Sequence, residues 1–103
     1  MFEEQIHKVV KKRSIVWQKH ALQRMLERNI YRNDVIAVLT SGELIEFYKD
    51  DNPLPSGLFL GYSDHKPLHV VAALDQDYER CFVITAYHPD SSHFESDFKT
   101  RKK

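Results

Sequence analysis

Two segments near the C-terminus, Leu68-His69-Val70-Val71-Ala72-Ala73-Leu74 and Cys81-Phe82-Val83-Ile84-Thr85-Ala86-Tyr87, constrain the fold more than any other feature of this chain. Side chains along a strand alternate between the two faces of a sheet. Leu68, Val70, Ala72 and Leu74 therefore share one face, and Phe82, Ile84 and Ala86 form a matching apolar row. Setting both rows against one core fixes the register, because a slip of one residue would turn all of them to water. In that register His69, Thr85 and Tyr87 share the opposite face. An antiparallel hairpin then sets His69 across from either Thr85 or Tyr87, with Cβ atoms roughly 5 Å apart. An imidazole, a hydroxyl and a phenol grouped in this way suit proton transfer. They equally suit an ordinary half-wet sheet surface.

A chain of 103 residues builds one domain with a single modest core. Its apolar fraction of 42% sets it apart from disordered chains. The one cysteine, Cys81, excludes an internal disulfide framework and points to a reducing, cytoplasmic setting. The first residues lack the basic and apolar regions of a signal peptide, and no apolar run approaches 18 residues, so neither a leader nor a membrane span is expected. Net charge is zero but unevenly spread. Residues 1–32 carry +5, residues 33–98 carry −9, and the tail Lys99-Thr100-Arg101-Lys102-Lys103 carries +4. A nucleic acid would have to bind near the N-terminal third or the tail, not over the acidic middle.

Periodicity predicts a short amphipathic helix over residues 3–13, an extended Ser14–Trp17, and a second helix from Gln18 to Arg28 with Ala21, Leu22, Met25 and Leu26 on its apolar stripe. Asp34–Leu39 makes a third helix, with Asn33 as a possible cap and Gly42 suited to a left-handed C-terminal position. From Glu43 the pattern turns to strands. Ile45 and Phe47 alternate with Glu46 and Tyr48, Pro53 and Pro55 stiffen an acidic loop, and Leu58–Tyr62 is a second strand before the two described first. Helices first and strands afterwards give an α+β fold, with two or three helices on one face of a four-stranded antiparallel sheet. The expected core includes Leu22, Met25, Leu26, Val35, Val38, Leu39, Ile45, Val70, Ala72, Phe82 and Ile84.

Outside the strands, His20, Arg24 and Arg28 recur every four residues along the second helix. This reads either as a solvated polar face or as a cationic track for phosphates, with His20 titratable at its end. His65, His88 and His93 lack a cysteine or carboxylate set at zinc spacing, so no metal or cofactor is expected. Cys81 reads as structural.

Four pieces stand in order along the chain: His20-x-x-x-Arg24-Met25-x-x-Arg28-x-Ile30, Val35-x-x-Val38-Leu39-x-x-Gly42-Glu43, Leu68-His69-Val70-Val71 and Ile84-Thr85-Ala86-Tyr87-x-Pro89-Asp90. Taken together they resemble the bacterial domain-of-unknown-function family numbered 4258. That family looks related to the RelE/ParE-like toxins, small α+β domains of toxin–antitoxin pairs, many of which cleave RNA. The resemblance implies a RelE/ParE-like domain over residues 1–103, an RNA substrate and an antitoxin partner. This chain lacks the strongly basic overall charge of the ribosome-dependent toxins. The residues themselves supply the site expectations for a metal-independent endoribonuclease. His69 would act as base or acid, Tyr87 as its partner and Thr85 as a phosphate-binding hydroxyl, with His20 a second titratable group. Arg24, Arg28 or Arg80 would stabilise the developing charge. A non-catalytic binding module on the same fold is the competing expectation. In either case the basic helices, an edge strand and the tail are the expected partner surface, with Phe94 and Phe98 on a short C-terminal helix that either presents both rings to a partner or packs them onto this chain's own core.

Overall fold

Charge and spacing set the first element. α1 (Phe2–Lys11) carries Glu3 and Glu4 in its first turn and Lys8 and Lys11 in its last, each opposite in sign to its helix end. Ile6, Val9 and Val10 fall on one face and are buried. The computed structural model describes residues 1–103. β1 (Ile15–Trp17), α2 (Lys19–Glu27), α3 (Arg32–Ser41), β2 (Glu43–Tyr48), β3 (Ser56–Ser63), β4 (Lys66–Asp75) and β5 (Arg80–Tyr87) follow in order. No helix is long and apolar enough to cross a membrane.

The fold is α+β, but the sheet has five strands rather than four and is mixed rather than antiparallel. Its order is β1-β5-β4-β3-β2, with β1 parallel to β5 and every other pair antiparallel. The added strand is the extended Ser14–Trp17 segment, whose first carbonyl accepts the Cys81 N–H at 2.9 Å. Three residues are too few for alternation to be visible in sequence. β1 covers only Cys81–Val83. Beyond it α2 takes over the flank of β5, and the Arg28 Nη1 donates to the Ala86 carbonyl at 2.9 Å.

The three helices cover one sheet face, over a core that includes Phe59, Leu39, Val10, Val70 and Val83. On β4 the expected row holds, with Leu68, Val70, Ala72 and Leu74 all buried against the helices. On β5 it fails halfway. Val71 pairs with Thr85 but Ala72 pairs with Val83, so Ile84 is an extra residue in the ladder. Such a bulge reverses the alternation beyond it. Ala86 stays inside, Cys81 and Val83 face the core, Phe82 turns to the outer face, and Ile84 is 41% exposed. A second bulge inserts Ile45 between Leu44 and Glu46, leaving Ile45 half-buried and Phe47 partly exposed against Phe2. We expect Val83→Ala to cost about 2 kcal/mol and Ile84→Ala about 0.5 kcal/mol or less in urea unfolding. The opposite order would place the bulge elsewhere.

Other local expectations are also corrected. Leu26 is exposed rather than buried, because the stripe centred on Ala21 and Met25 is narrow and Leu22 only borders it. The cap of α3 is Tyr31 rather than Asn33, and its N–H reaches the Asp34 carboxylate at 3.0 Å. Gly42 has an extended backbone at φ −76°, not a left-handed one. Residues 94–101 form no helix; they fold back as a turn closed by a bridge between Phe94 and Arg101.

Candidate active site

The hairpin of β4 and β5 sets His69 directly opposite Tyr87. Both lie on the sheet face away from the helices, as the alternation requires. His69 is nonetheless wholly buried, because the C-terminal turn lies across it. Phe94, 3% exposed, meets the imidazole edge-on with ring centroids 4.6 Å apart, and Tyr87 meets it at 5.3 Å. Leu58 and Leu60, which share this outer face, are buried as well. The sheet is therefore buried on both sides here.

Charge holds the turn down. The basic tail lands on the acidic second strand: the Arg101 Nε and Nη2 donate to the two carboxylate oxygens of Glu46 at 2.8 and 3.1 Å, and Lys99 pairs with Glu43 at 2.9 Å. Tyr48 donates to the same Glu46 carboxylate. Within the turn, the Asp97 carboxylate accepts the N–H groups of Lys99 and Thr100 at 2.9 and 3.0 Å. The Phe98 carbonyl then receives His69 Nε2 at 2.7 Å.

That last contact fixes the tautomer. A carbonyl only accepts, so Nε2 carries the proton and Nδ1 keeps its lone pair. The Tyr87 hydroxyl, 3.3 Å away, therefore donates to Nδ1. The distance is long for such a bond. Burial drives the His69 pKa below its ordinary value, against smaller upward pulls from the Phe98 carbonyl and Glu46, so the ring is held neutral. Burial also raises Tyr87, while the guanidiniums of Arg101 and Arg28 pull it down. Hydrogen bonding from Arg101 keeps the Glu46 carboxyl below its usual range. The result is a half-buried phenol with a neutral imidazole behind it and two permanent cations beside it. Tyr87 also lines an open surface groove with His88, Pro89, Asp90, His93, Phe94 and Arg101.

The remaining expected site residues divide between this centre and other places. Thr85 is half-buried, two positions from Tyr87 on the same face and opposite Val71. Arg28 reaches β5 at Ala86. Arg24 is exposed and pairs with Glu27 at 3.3 Å. His20 is exposed and lies about 12 Å from Arg28 along the axis of α2, from the helical rise. Arg80 is at the far end of β5, roughly 20 Å from Tyr87 by strand rise. There it pairs with Asp75 at 2.9 Å and stacks over Tyr78 and Phe82. Three groups escaped the sequence reading: Glu46, Tyr48 and Arg101. The signal for the first two was present in the β2 alternation, which sends both to the face of His69. The Cys81 thiol is buried, which pushes its pKa up to about 12, and has no part in the site.

No curated protein and no solved structure gives a match to the chain. A family model, described as a domain of unknown function (DUF4258), matches residues 17–88. The match runs from the end of β1 through α2 to the residue after Tyr87, and so takes in His20, Arg24, Arg28, His69, Thr85 and Tyr87 while stopping short of the covering turn. Because that match spans most of its length, the chain belongs to the DUF4258 family.

Proposed function

We propose that this protein is a metal-independent endoribonuclease of the toxin type, on a fold related to the RelE/ParE-like toxins, with Tyr87 as its proton-transfer residue. The observation that carries the reading is the relay from the Phe98 carbonyl through His69 to the Tyr87 hydroxyl, flanked by the charges of Arg28 and Arg101. Cleavage of RNA by its own 2′-hydroxyl needs a proton donor at the departing 5′-oxygen and cations near the phosphate. Tyr87, held protonated by burial, suits the donor once its O–H turns from His69 Nδ1 to the departing oxygen. The two guanidiniums suit the phenolate left behind and the phosphate oxygens. His69 is wholly covered, so it acts as a positioning residue for Tyr87 rather than as a base meeting substrate. Thr85 offers a hydroxyl on the same face, and the +5 charge of residues 1–32 continues the cationic surface along α2 through Arg24 and His20.

The test is direct. Purified protein in EDTA is expected to cut RNA into fragments ending in 2′,3′-cyclic phosphates, and Tyr87→Phe should lower the rate about 10²- to 10⁴-fold. Equal cleavage by both proteins would remove Tyr87 from the chemistry, and no cleavage of any RNA by the wild type would remove the nuclease.

One observation favours the alternative, a binding module without catalysis. Val71, Ala73, Phe82, Ile84 and Leu54 line a mostly apolar groove on the outer face that the C-terminal turn leaves uncovered. An antitoxin or other protein partner seated there would need no chemistry from Tyr87. Expression in a bacterium separates the two, since a nuclease arrests growth and Tyr87→Phe relieves the arrest.

A further inference from the structure

The groove beside Tyr87 holds a pair of groups to which the relay assigns no role. Asp90 Oδ1 accepts four donors: the Ser92 N–H at 3.1 Å, the Ser92 hydroxyl at 2.9 Å, the His93 N–H at 3.1 Å and the His93 imidazole Nδ1 at 2.9 Å. The carboxylate thereby pins both the turn and the ring it carries. Since Nδ1 faces a carboxylate, it holds a proton, and Nε2 is the free nitrogen. His93 is exposed, with no protein partner at Nε2. On another side of the same groove stands Arg101. Two of its nitrogens are taken by Glu46, its plane lies 5.0 Å over the Phe94 ring, and Nη1 makes no protein hydrogen bond. His88, its Nδ1 spent on the Pro67 carbonyl at 2.8 Å, completes the lining. A phenol that gives a proton, an imidazole that takes one and a guanidinium with free N–H groups thus border one opening.

We propose that this groove is the seat of the scissile phosphodiester, and that His93, held by Asp90, is the catalytic base that complements Tyr87; the catalytic part rests on the ribonuclease reading above. In the step, the ribose 2′-hydroxyl proton passes to His93 Nε2 as the bond between the 2′-oxygen and phosphorus forms. The bond between phosphorus and the 5′-oxygen breaks, and that oxygen takes the Tyr87 proton, the hydroxyl having turned to it from His69 Nδ1. The products are a 2′,3′-cyclic phosphate and a 5′-hydroxyl. The proton on His93 returns to the Tyr87 phenolate through water, so both residues are reset. Arg101 Nη1 binds a non-bridging phosphate oxygen throughout.

His93→Gln keeps a polar side chain of similar reach and removes the proton acceptor, at an exposed position where folding is not at stake. Its cleavage rate is compared with wild type, and imidazole resonances are followed by NMR as uridine 3′-monophosphate is added to the wild-type protein. A loss of 100-fold or more, with the His93 resonances shifting on addition of the nucleotide, is the expected result. Undiminished cleavage by His93→Gln overturns the assignment of the base while the nuclease stands. A wild type that cuts no RNA overturns the nuclease and the catalytic role of His93 together. In that case the NMR titration decides the remaining claim: saturable His93 shifts keep the groove as a phosphate site, and unmoved resonances overturn it.

Discussion

Replacing His69 by alanine is expected to lower the unfolding free energy by about 3–5 kcal/mol, the range for a large buried side chain whose removal also strands a buried acceptor. The imidazole is fully enclosed between Phe94 and Tyr87, and each of its nitrogens is bonded. The truncation leaves a cavity under the C-terminal turn and a Phe98 carbonyl without its donor. A domain of this size has about 5–15 kcal/mol in all, so the variant should stand near the edge of folding. Urea unfolding measures it, and a loss below 1 kcal/mol would mean that the turn does not rest on His69 in solution.

The same residue makes stability depend on pH in a defined window. Burial lowers its folded-state pKa, whereas in the unfolded chain the imidazole titrates near ~6.5. Between those two values the unfolded state binds more protons than the folded one. Stability is therefore full above ~6.5 and falls as pH drops through the window, until the folded-state ring protonates as well. Asp75, Asp90, Asp97 and Glu46 also have lowered values, but their contributions fade only near and below the ordinary carboxylate range of ~4. Melting temperatures between pH 7.5 and 5 should thus decline for the wild type. His69→Gln, whose baseline is lower, should lose that upper part of the decline and keep the acidic part.

The parts of this molecule that were legible in sequence are those governed by simple repetition. The β4 row of Leu68, Val70, Ala72 and Leu74 was read correctly, and so was the sharing of one face by His69 and Tyr87, because β5 is regular from Thr85 to Tyr87. One extra residue, Ile84, hid the true facing of Phe82 and Val83. Nothing in the composition of an apolar strand marks where a bulge falls. β1 was seen as extended, yet its partner is 66 positions away along the chain, at Ile15 and Cys81, and local pattern carries no information about such pairing. The burial of His69 was hidden for a related reason. It depends on Phe94, Phe98 and Arg101 returning to β4 and β2, and the spacing of the two phenylalanines suggested a helix instead. The charge pattern held the clue, since a basic tail and acidic strands that ignore each other in sequence attract in space.

Gly42→Ala is the second substitution expected to cost heavily, about 3 kcal/mol, at the upper end for inserting a carbon into packed structure. A glycine after a helix commonly marks a left-handed turn, where alanine costs about 1–2 kcal/mol. Gly42 has φ −76° and ψ 174°, which any residue adopts, so conformational freedom does not explain its presence. Space does. A Cβ at this position would lie 2.4 Å from the Val38 carbonyl oxygen and 2.7 Å from that of Leu60. Both are backbone atoms, one in the last turn of α3 and one in β3, and neither can swing aside as a side chain would. Gly42 also gives its N–H to Val38 and its carbonyl to His7 of α1, so it joins two helices to the sheet at one point. Alanine must therefore push α3 away from β3, across the Val38–Gly61 contact that packs them. Gly57→Ala provides the contrast, because the atoms closest to its added Cβ are the ends of the Leu44 and Phe2 side chains, which can shift. Unfolding of the two variants side by side is expected to show the larger loss at Gly42. Equal losses would mean that α3 yields as easily as a side chain, and that the close approach of its last turn to β3 contributes nothing to holding helix and sheet together.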